Sequence, residues 1–466
     1  MIKRLIGLLS PKREKNEKNK PRFELRVIPR DAHNISRKSI SPNALKVLYR
    51  LNGAGYEAFL VGGGVRDLLL GVTPKDFDVA TSAHPEEVRE QFQNARLIGR
   101  RFRLAHVRFG REIIEVATFR REHGSAEDED SPDGSMSEGG MILRDNVYGN
   151  QQEDALRRDF TINALYYSVR DFSIHDYAGG LEDLKARQIR MIGDAETRFR
   201  EDPVRMLRAV RFATKLDFEI APDTAAPIPA LASLLQDIPP ARLFEEVLKL
   251  FLSGKAVANF DMMRHYGLFA PLFPATEQAI ERGGPEVLAL IRQALANTDE
   301  RIAQDKPVTP AFLYAALLWP PLQERQARIE GEGMPPIPAM QQAANEVIIE
   351  QVRHTALPKR FSIPMKEIWE MQQRLTRRGG KRAELLLEHP RFRAGYDFLL
   401  LREQTGEDLG GLGDWWTEFQ EASAPDREQL ATQARSEETG EPAKRKRRSR
   451  SRKRRYNNRP PTTDQQ

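Results

Sequence analysis

The sequence predicts an α+β fold in which a small mixed sheet with helices is followed by a mostly helical remainder and a basic tail with no core of its own. Three observations predict this. Short apolar or alternating runs cluster between residues 56 and 119. Beyond about residue 185, apolar residues recur at three and four, as in Val204, Leu207, Val210 and Ala213. The final stretch carries charge with nothing apolar to bury. With 466 residues, the chain has room for two to four domains, which excludes a single small binding module.

Taken in order, residues 1–40 mix Lys, Arg, Asn and Pro without periodicity and read as a flexible basic lead-in. Met1–Ser10 sets Lys3 and Arg4 beside Leu5, Ile6, Leu8 and Leu9, a patch too short for a secretory core but compatible with weak peripheral contact with a membrane surface. The longest apolar run, Ala311–Trp319, is stopped by Pro310 and Pro320, short of the ~20 residues a span needs, so no integral membrane insertion is expected. The chain has no cysteine, which excludes disulfides, thiolate catalysis and cysteine-held metals and makes the cytoplasm the expected compartment.

A helix is expected from Ser41, with Leu45, Leu48, Tyr49 and Leu51 at helical spacing and Gly53 and Gly55 ending it. Tyr56–Val61 reads as a strand running into Gly62-Gly-Gly64 and a helix over Val65–Leu70. Asp76–Ala80 alternates as a strand does. Val107–Phe109 and Glu112–Phe119 form a hairpin around Gly110-Arg111. Gly124–Gly140 holds six carboxylates among Gly, Ser and Pro and reads as a mobile loop, and Ala422–Glu441 loses the helical period and reads as a linker.

The tail is the electrostatic outlier. Residues 444–466 hold eleven Lys and Arg against Asp464, a net of +10, whereas the whole chain carries +6, so everything before the tail sums to −4. Lys444, Arg445, Lys446, Arg447, Arg448, Arg450, Arg452, Lys453, Arg454 and Arg455 are therefore expected to bind a polyanion, RNA above all, without sequence preference.

The sharpest chemistry lies in Gly62-Gly-Gly-Val-Arg-Asp67 and Asp76-Phe-Asp78. On a strand, Asp76 and Asp78 project from one face, and two carboxylates there are poor neighbours without a cation. Hard oxygen ligands at this spacing suit Mg²⁺, or Mn²⁺ in its place, completed by substrate phosphates. An isolated Asp-x-Asp is most often a solvated strand face. The glycine turn beside it, with backbone N–H groups suited to an anion, shifts the reading toward phosphate chemistry. No Gly-Lys-Ser/Thr follows the turn, so it is not a Walker A loop, and Asp67 stands where a dinucleotide fingerprint has its last glycine.

A third carboxylate would complete a two-metal site, and spacing alone leaves Glu115 and Asp159 open. Arg158 and Asn163 accompany Asp159 in Arg157-Arg-Asp-Phe-Thr-Ile-Asn163, where arginine suits phosphate and a carboxylate suits a ribose hydroxyl. Glu201-Asp-Pro-Val-Arg205 opens a helix with Asp202 at its N-cap and Arg205, Arg208 and Arg211 on one drifting stripe, a pattern that a structural helix alone would also explain. Lys359, Arg360, Arg374, Arg377, Arg378, Lys381, Arg382, Arg391 and Arg393 surround Trp369, Phe392 and Tyr396, either a single-strand track or core aromatics with solvated charges.

Leu60-Val-Gly-Gly-Gly-Val-Arg-Asp67, Asp76-Phe-Asp78, Arg157–Asn163 and Glu201-Asp-Pro-Val-Arg-Met-Leu-Arg-Ala-Val-Arg211, in that order, resemble the class II nucleotidyltransferases, which comprise tRNA CCA-adding enzymes and bacterial poly(A) polymerases. Ile98–Val107, Asp237–Glu246 and the basic tail are similar to the poly(A) polymerase branch. The resemblance implies a polymerase-beta-like nucleotidyltransferase head over residues 41–180, a base-recognising helical neck over 181–255, an RNA-binding body over 256–421, and a linker with the tail over 422–466. It implies template-free addition of adenylate from ATP to RNA 3′ ends. Asp76 and Asp78 match the metal pair, and Gly62, Gly63, Arg66 and Asp67 match the phosphate-proximal motif. Arg158 and Asp159 match the ribose motif, and Asp202 and Arg205 match the pair that reads the base edge. Recruitment by RNA-decay proteins is implied as well. Two rivals remain: CCA addition, and a non-catalytic RNA-binding protein on a transferase fold, against which the intact Asp76 and Asp78 count.

Overall fold

The computed structural model describes residues 24–99, 103–121, 134–136, 142–145 and 147–439. The strands are β1 (Arg26–Ile28), β2 (Ala58–Val61), β3 (Asp78–Thr81), β4 (Ala95–Ile98), β5 (Leu104–Phe109), β6 (Glu112–Thr118), β7 (Gly134–Met136), β8 (Ile142–Asp145), β9 (Leu165–Ser168), β10 (Ile174–Asp176), β11 (Gln188–Ile189) and β12 (Glu219–Ile220). The first seven helices are α1 (Pro42–Gly53), α2 (Gly63–Leu69), α3 (Pro85–Gln91), α4 (Gln151–Leu156), α5 (Gly180–Ala186), α6 (Ala195–Glu201) and α7 (Val204–Leu216). The rest are α8 (Pro222–Ala225), α9 (Ile228–Leu231), α10 (Pro240–Phe251), α11 (Ala256–His265), α12 (Pro274–Ala303), α13 (Pro310–Leu317), α14 (Trp319–Gly331), α15 (Pro336–Gln351), α16 (Lys359–Leu375), α17 (Lys381–Leu387), α18 (Phe392–Gln404), α19 (Leu412–Glu421) and α20 (Ala424–Thr439). No helix among the described residues is long and apolar enough to cross a membrane.

Two compact units result. Among the described residues, one holds the chain up to Gly284 together with Ala294–Pro310 and Asn345–Pro358, and the other holds Pro285–Gln293, Ala311–Ala344 and residues 359–439. The first contains an eight-stranded sheet in the order β1-β10-β9-β2-β3-β6-β5-β4, antiparallel throughout except for the parallel pair β3 and β6. The period of two along each strand sorts its two faces. Ala58 and Leu60, Val79, Ile114 and Val116, and Leu165 and Tyr167 bury one face under α1 and α3, whereas Phe59 and Val61, Ala80 and Tyr166 lie on the other with Ala155 of α4. Asp78 and Glu115 alternate with the first set and so share the second face. This alternation is what brings two acids from distant sequence together.

Several expectations need correction. The flexible lead-in ends earlier than residue 40, because Arg26–Ile28 pairs with β10 and buries Ile28. The buried stripe of α1 is Ala44, Val47, Leu48 and Leu51, which leaves Tyr49 exposed. Ala424–Thr439 is a helix rather than a linker. Its buried contacts are Ala431 and Ala434, small side chains that carry little hydrophobic signal. The expected acidic loop 124–140 lies mostly outside the described residues, and its described part, Gly134–Met136, is a strand paired with β8. The tail residues 444–466 and Met1–Ser10 also lie outside them.

Gly180 opens α5 against the turn Thr161–Asn163, where a Cβ would stand 2.2 Å from the Thr161 carbonyl oxygen. Neither side can yield cheaply, since the obstructing atom is backbone. Gly180→Ala is therefore expected to cost roughly 2–3 kcal/mol, read as a lower midpoint in thermal denaturation; an unchanged midpoint would show that the turn moves freely.

Candidate active site

β2 enters α2 through Gly62, whose φ of +73° strains any residue with a side chain. A Cβ there would lie 3.7 Å from Arg158 Nη1, so the glycine turn and that arginine are neighbours. From the turn, a chain of contacts runs outward. Arg66, 2% exposed, donates from Nε and Nη2 to Asp67 Oδ1 at 2.9 and 2.6 Å and from Nη1 to Asn163 Oδ1 at 2.7 Å. Asn163 Nδ2 donates to Asp159 Oδ1 at 3.2 Å, and Arg208 Nε donates to Asp159 Oδ2 at 2.7 Å. Five predicted site residues are thus joined across α2, the 161–163 turn and α7. Sequence reasoning missed the aromatic ring beside this chain of contacts. The guanidinium groups of Arg66, Arg208 and Arg211 lie 5.3, 5.3 and 5.1 Å from the Phe212 centroid.

The carboxylates form a second group. Asp76 precedes β3 rather than belonging to it, and Asp78 is the first residue of the strand, so their proximity is not the strand alternation expected. Asp78 pairs in register with Glu115 of β6. Burial, reinforced by Glu115 and Asp76 and opposed by Arg158, pushes the Asp78 carboxyl up to about 6. Like charges are crowded there, as they are where a divalent cation is meant to sit. Glu115 Oε1 also lies 3.2 Å from His106 Nε2 across the β5–β6 pair. Among the described residues no group of three or more His, Asp or Glu side chains could hold a metal ion by itself. Two hard carboxylates that leave positions for phosphate and water suit Mg²⁺.

The geometry also separates the two candidates for the third carboxylate. Glu115 faces Asp78, whereas Asp159 is committed to α7. Burial alone would raise the Asp159 carboxyl, but Arg208, Asn163 and the Phe160 N–H hold it down at about 2.

Arg158 donates from Nε to Tyr166 Oη at 2.9 Å and from Nη2 to Asp154 Oδ2 at 3.0 Å, while Tyr166 Oη donates to Asp154 at 2.6 Å. Beside it Arg157 is pushed down to about 9, first by burial and then by Arg120, Arg158, Arg198 and Arg205. Four of these arginines already meet acids, Arg157 and Arg158 at Asp154 and Arg198 and Arg205 at Glu201. Arg120 and Arg198, on separate elements, carried no local signal in the sequence.

The expected base-edge pair is wired differently. Asp202 Oδ2 accepts from Arg242 Nη2 at 2.7 Å, while Arg205 Nη1 donates to Glu201 Oε2 and the Arg198 carbonyl, both at 2.8 Å. Helix α7 begins at Val204 with Pro203 at the cap, and Asp202 Oδ1 accepts only a long 3.4 Å bond from Val204 N–H. In the second unit, Trp369, Phe392 and Tyr396 are at most 5% exposed. They are core aromatics, so the single-strand track loses its stacking faces.

Three families match the chain: the poly A polymerase head domain over residues 58–190, the probable RNA and SrmB-binding site of polymerase A over 217–280, and the polymerase A arginine-rich C-terminus over 332–455. Poly(A) polymerase I of Salmonella typhimurium is 53% identical over 451 residues, 96% of each chain, and that of Haemophilus influenzae is 46% identical over 422 residues, 90% of this chain and 93% of its own. The CCA-adding enzyme of Lactobacillus johnsonii is 38% identical over 275 residues, 59% of this chain and 62% of its own. Among solved structures, the Bacillus stearothermophilus CCA-adding enzyme in complex with CTP matches at a TM-score of 0.54 and 25% identity, covering 86% of this chain and 94% of that one. A tRNA nucleotidyltransferase with a primer tRNA and an incoming ATP analogue shares the fold at a TM-score of 0.55 and 21% identity, over 80% of this chain and 97% of that one.

Proposed function

The chain belongs to the bacterial poly(A) polymerase family, and on that premise we propose that its head transfers adenylate from ATP to RNA 3′ ends without a template and releases pyrophosphate. The single observation that carries the catalytic reading is the meeting of Asp78 and Glu115 in register on one sheet face, beside Arg158 and the glycine turn. CCA addition is not favoured, since the CCA-adding relative matches at lower identity and over little more than half the chain.

The 3′ oxygen of the RNA forms a bond to the α-phosphorus, the bond from that phosphorus to the bridging oxygen breaks, and pyrophosphate departs. Asp76 and Asp78 would hold Mg²⁺, or Mn²⁺, which when bound neutralises the triphosphate and lowers the pKa of the attacking hydroxyl. Glu115 is assigned as the third catalytic carboxylate and takes the hydroxyl proton. Gly62 and Gly63 let the triphosphate approach the backbone, with Arg158 and Arg157 drawing its charge. Asp159 receives the ribose hydroxyl, held in place by Arg208 and Asn163, while Arg66 fixes Asn163 and Asp67. Asp202, oriented by Arg242, and Arg205 meet the base edge. Incubating the chain with a generic RNA and each single nucleoside triphosphate should extend the RNA with ATP alone; extension of a trimmed tRNA by CTP at a comparable rate would overturn the reading.

We assign the basic residues 444–455 to RNA contact through phosphates, in the cytoplasm, where RNA-decay proteins would meet the enzyme; co-purification with such proteins checks the last point. Removing residues 444–466 should flatten the salt dependence of RNA binding by about 0.7 log units per log unit of salt for each phosphate the tail no longer neutralises. A titration of labelled RNA at several salt concentrations measures it, and an unchanged slope would remove the tail from the interface.

A further inference from the structure

The row that joins Asp78 to Glu115 does not stop there. Glu115 pairs in register with His106 of β5, and His106 with Arg96 of β4, so Asp78, Glu115, His106 and Arg96 form one line across four strands to the edge of the sheet. The period of two puts all four on the same face, opposite the one buried under α1 and α3. Two residues along from His106, Arg108 shares that face and pairs with Ile113.

Beyond Asp78 this face is open. The Glu115 side chain is 50% exposed, Ile98 40% and Ile113 37%. Arg96 and Arg108 are exposed as well, and among the described residues neither guanidinium has an ion pair or a hydrogen bond. Neighbouring charges are engaged. His106 turns Nε2 toward Glu115 Oε1 at 3.2 Å, Glu112 on the opposite face accepts from Ser41 and Asn43, and Arg103 just before β5 is bridged to Glu86 of α3 at 2.8 Å. Two unpaired guanidinium groups set among exposed apolar side chains suit a single nucleic-acid strand, whose phosphates take the charge and whose base faces cover the apolar surface.

The proposed transfer reaction, on which this reading rests, selects RNA as the occupant. In phosphoryl transfer the attacking and leaving oxygens lie roughly in line on opposite sides of the phosphorus. The glycine turn assigned to the triphosphate follows β2, and Arg158 bonds to Tyr166 of β9, both on one side of β3 in the strand order β9-β2-β3-β6-β5-β4. Pyrophosphate then departs toward β2, and the RNA 3′ oxygen arrives from β6, over Glu115. The strand behind that oxygen runs onto β5 and β4. With strands ~4.8 Å apart, Arg96 stands roughly 10 Å from Glu115 along the row, within reach of the phosphates just behind the terminal nucleotide.

We propose that the open face of β4, β5 and β6 seats the 3′-terminal nucleotides of the RNA, with Arg96 and Arg108 taking phosphates and Ile98 and Ile113 lying under bases. The seat is separate from the basic tail, which would hold RNA farther from its end. Its contacts are to phosphates and apolar surface, so it accepts any base.

Steady-state extension by the full chain tests it, using a short oligoadenylate primer and copies with a single neutral methylphosphonate at each of the last few phosphates. Replacing both arginines, Arg96→Ala with Arg108→Ala, should raise the KM for RNA about tenfold while kcat and the KM for ATP change by less than about twofold. The neutral linkage that most weakens primer use by the wild type should cost the double variant little, because the cations facing it are gone. Arg103→Ala, on the other face, should leave the KM for RNA in place. A primer with 4-thiouridine beside its 3′ end, irradiated without ATP or divalent cation, should cross-link within residues 95–98, 104–109 or 112–118. This last readout needs no catalysis, so it judges the seat even if the chain fails to extend RNA, a failure that would fall on the transfer assignment. An unchanged KM for RNA, a rise matched by Arg103→Ala, neutral linkages felt equally by wild type and double variant, or cross-links confined to other segments would overturn the proposal.

Discussion

Asp78→Asn is expected to lower ATP incorporation by about a thousandfold or more, and to do so in a protein that is no less stable. The side chain keeps its shape but loses the charge that would hold a divalent cation. In the fold that charge is a burden, because burial, Glu115 and Asp76 push the carboxyl up to about 6. An acid whose folded pKa lies above its unfolded value makes the ionised fold less stable as pH rises from about 4 to 6, and the penalty is complete above that window. With divalent cations chelated at neutral pH, Asp78→Asn should therefore raise stability by up to about 2 kcal/mol. Asp76→Asn, at an exposed position, should lose activity with little change in stability. Measuring incorporation and thermal midpoint on the same preparations separates the two effects. Near-normal activity in either variant would end the catalytic assignment, and a lower midpoint for Asp78→Asn would show that the carboxylate is structural.

Arg208→Ala should produce the second large effect, now on both stability and nucleotide use. Asp159 retains 11% side-chain exposure, and Arg208 is the cation that holds it ionised. Removing one partner of such a pair leaves a buried charge uncompensated, at a cost of about 3 kcal/mol. The Asp159 carboxyl in the wild type sits at about 2, below the usual 3.8. Its stabilising contribution is thus complete above pH 4 and is lost as pH falls through 2. The gap in thermal midpoint between wild type and variant should be widest near neutrality and close on acidification. Because Asp159 also reaches Asn163 and, through it, Arg66, the loosened carboxylate should raise the KM for ATP more than it lowers kcat. Arg208→Lys should recover stability in part but not the two-nitrogen grip. A midpoint gap independent of pH would mean that the pair is not what stabilises α7 against the turn.

The sequence by itself determined the chemistry and its local stage. A glycine turn between strand and helix, two aspartates one residue apart, and the arginine, aspartate and asparagine of residues 157–163 are all readable within a few residues, because backbone freedom and side-chain type act locally. The helical second half was equally legible from its period. What only the tertiary structure decided are the partnerships. Glu115 becomes the neighbour of Asp78 through the parallel register of β3 and β6, Asp202 is held by Arg242 of another helix, and Trp369, Phe392 and Tyr396 turn inward rather than toward a strand of RNA. The helix Ala424–Thr439 also waits on its packing, since buried alanines gain their stabilisation only from the surface they meet. Such contacts join residues tens of positions apart, and the energy that selects them is the burial and pairing of whole elements, which no short window of sequence contains.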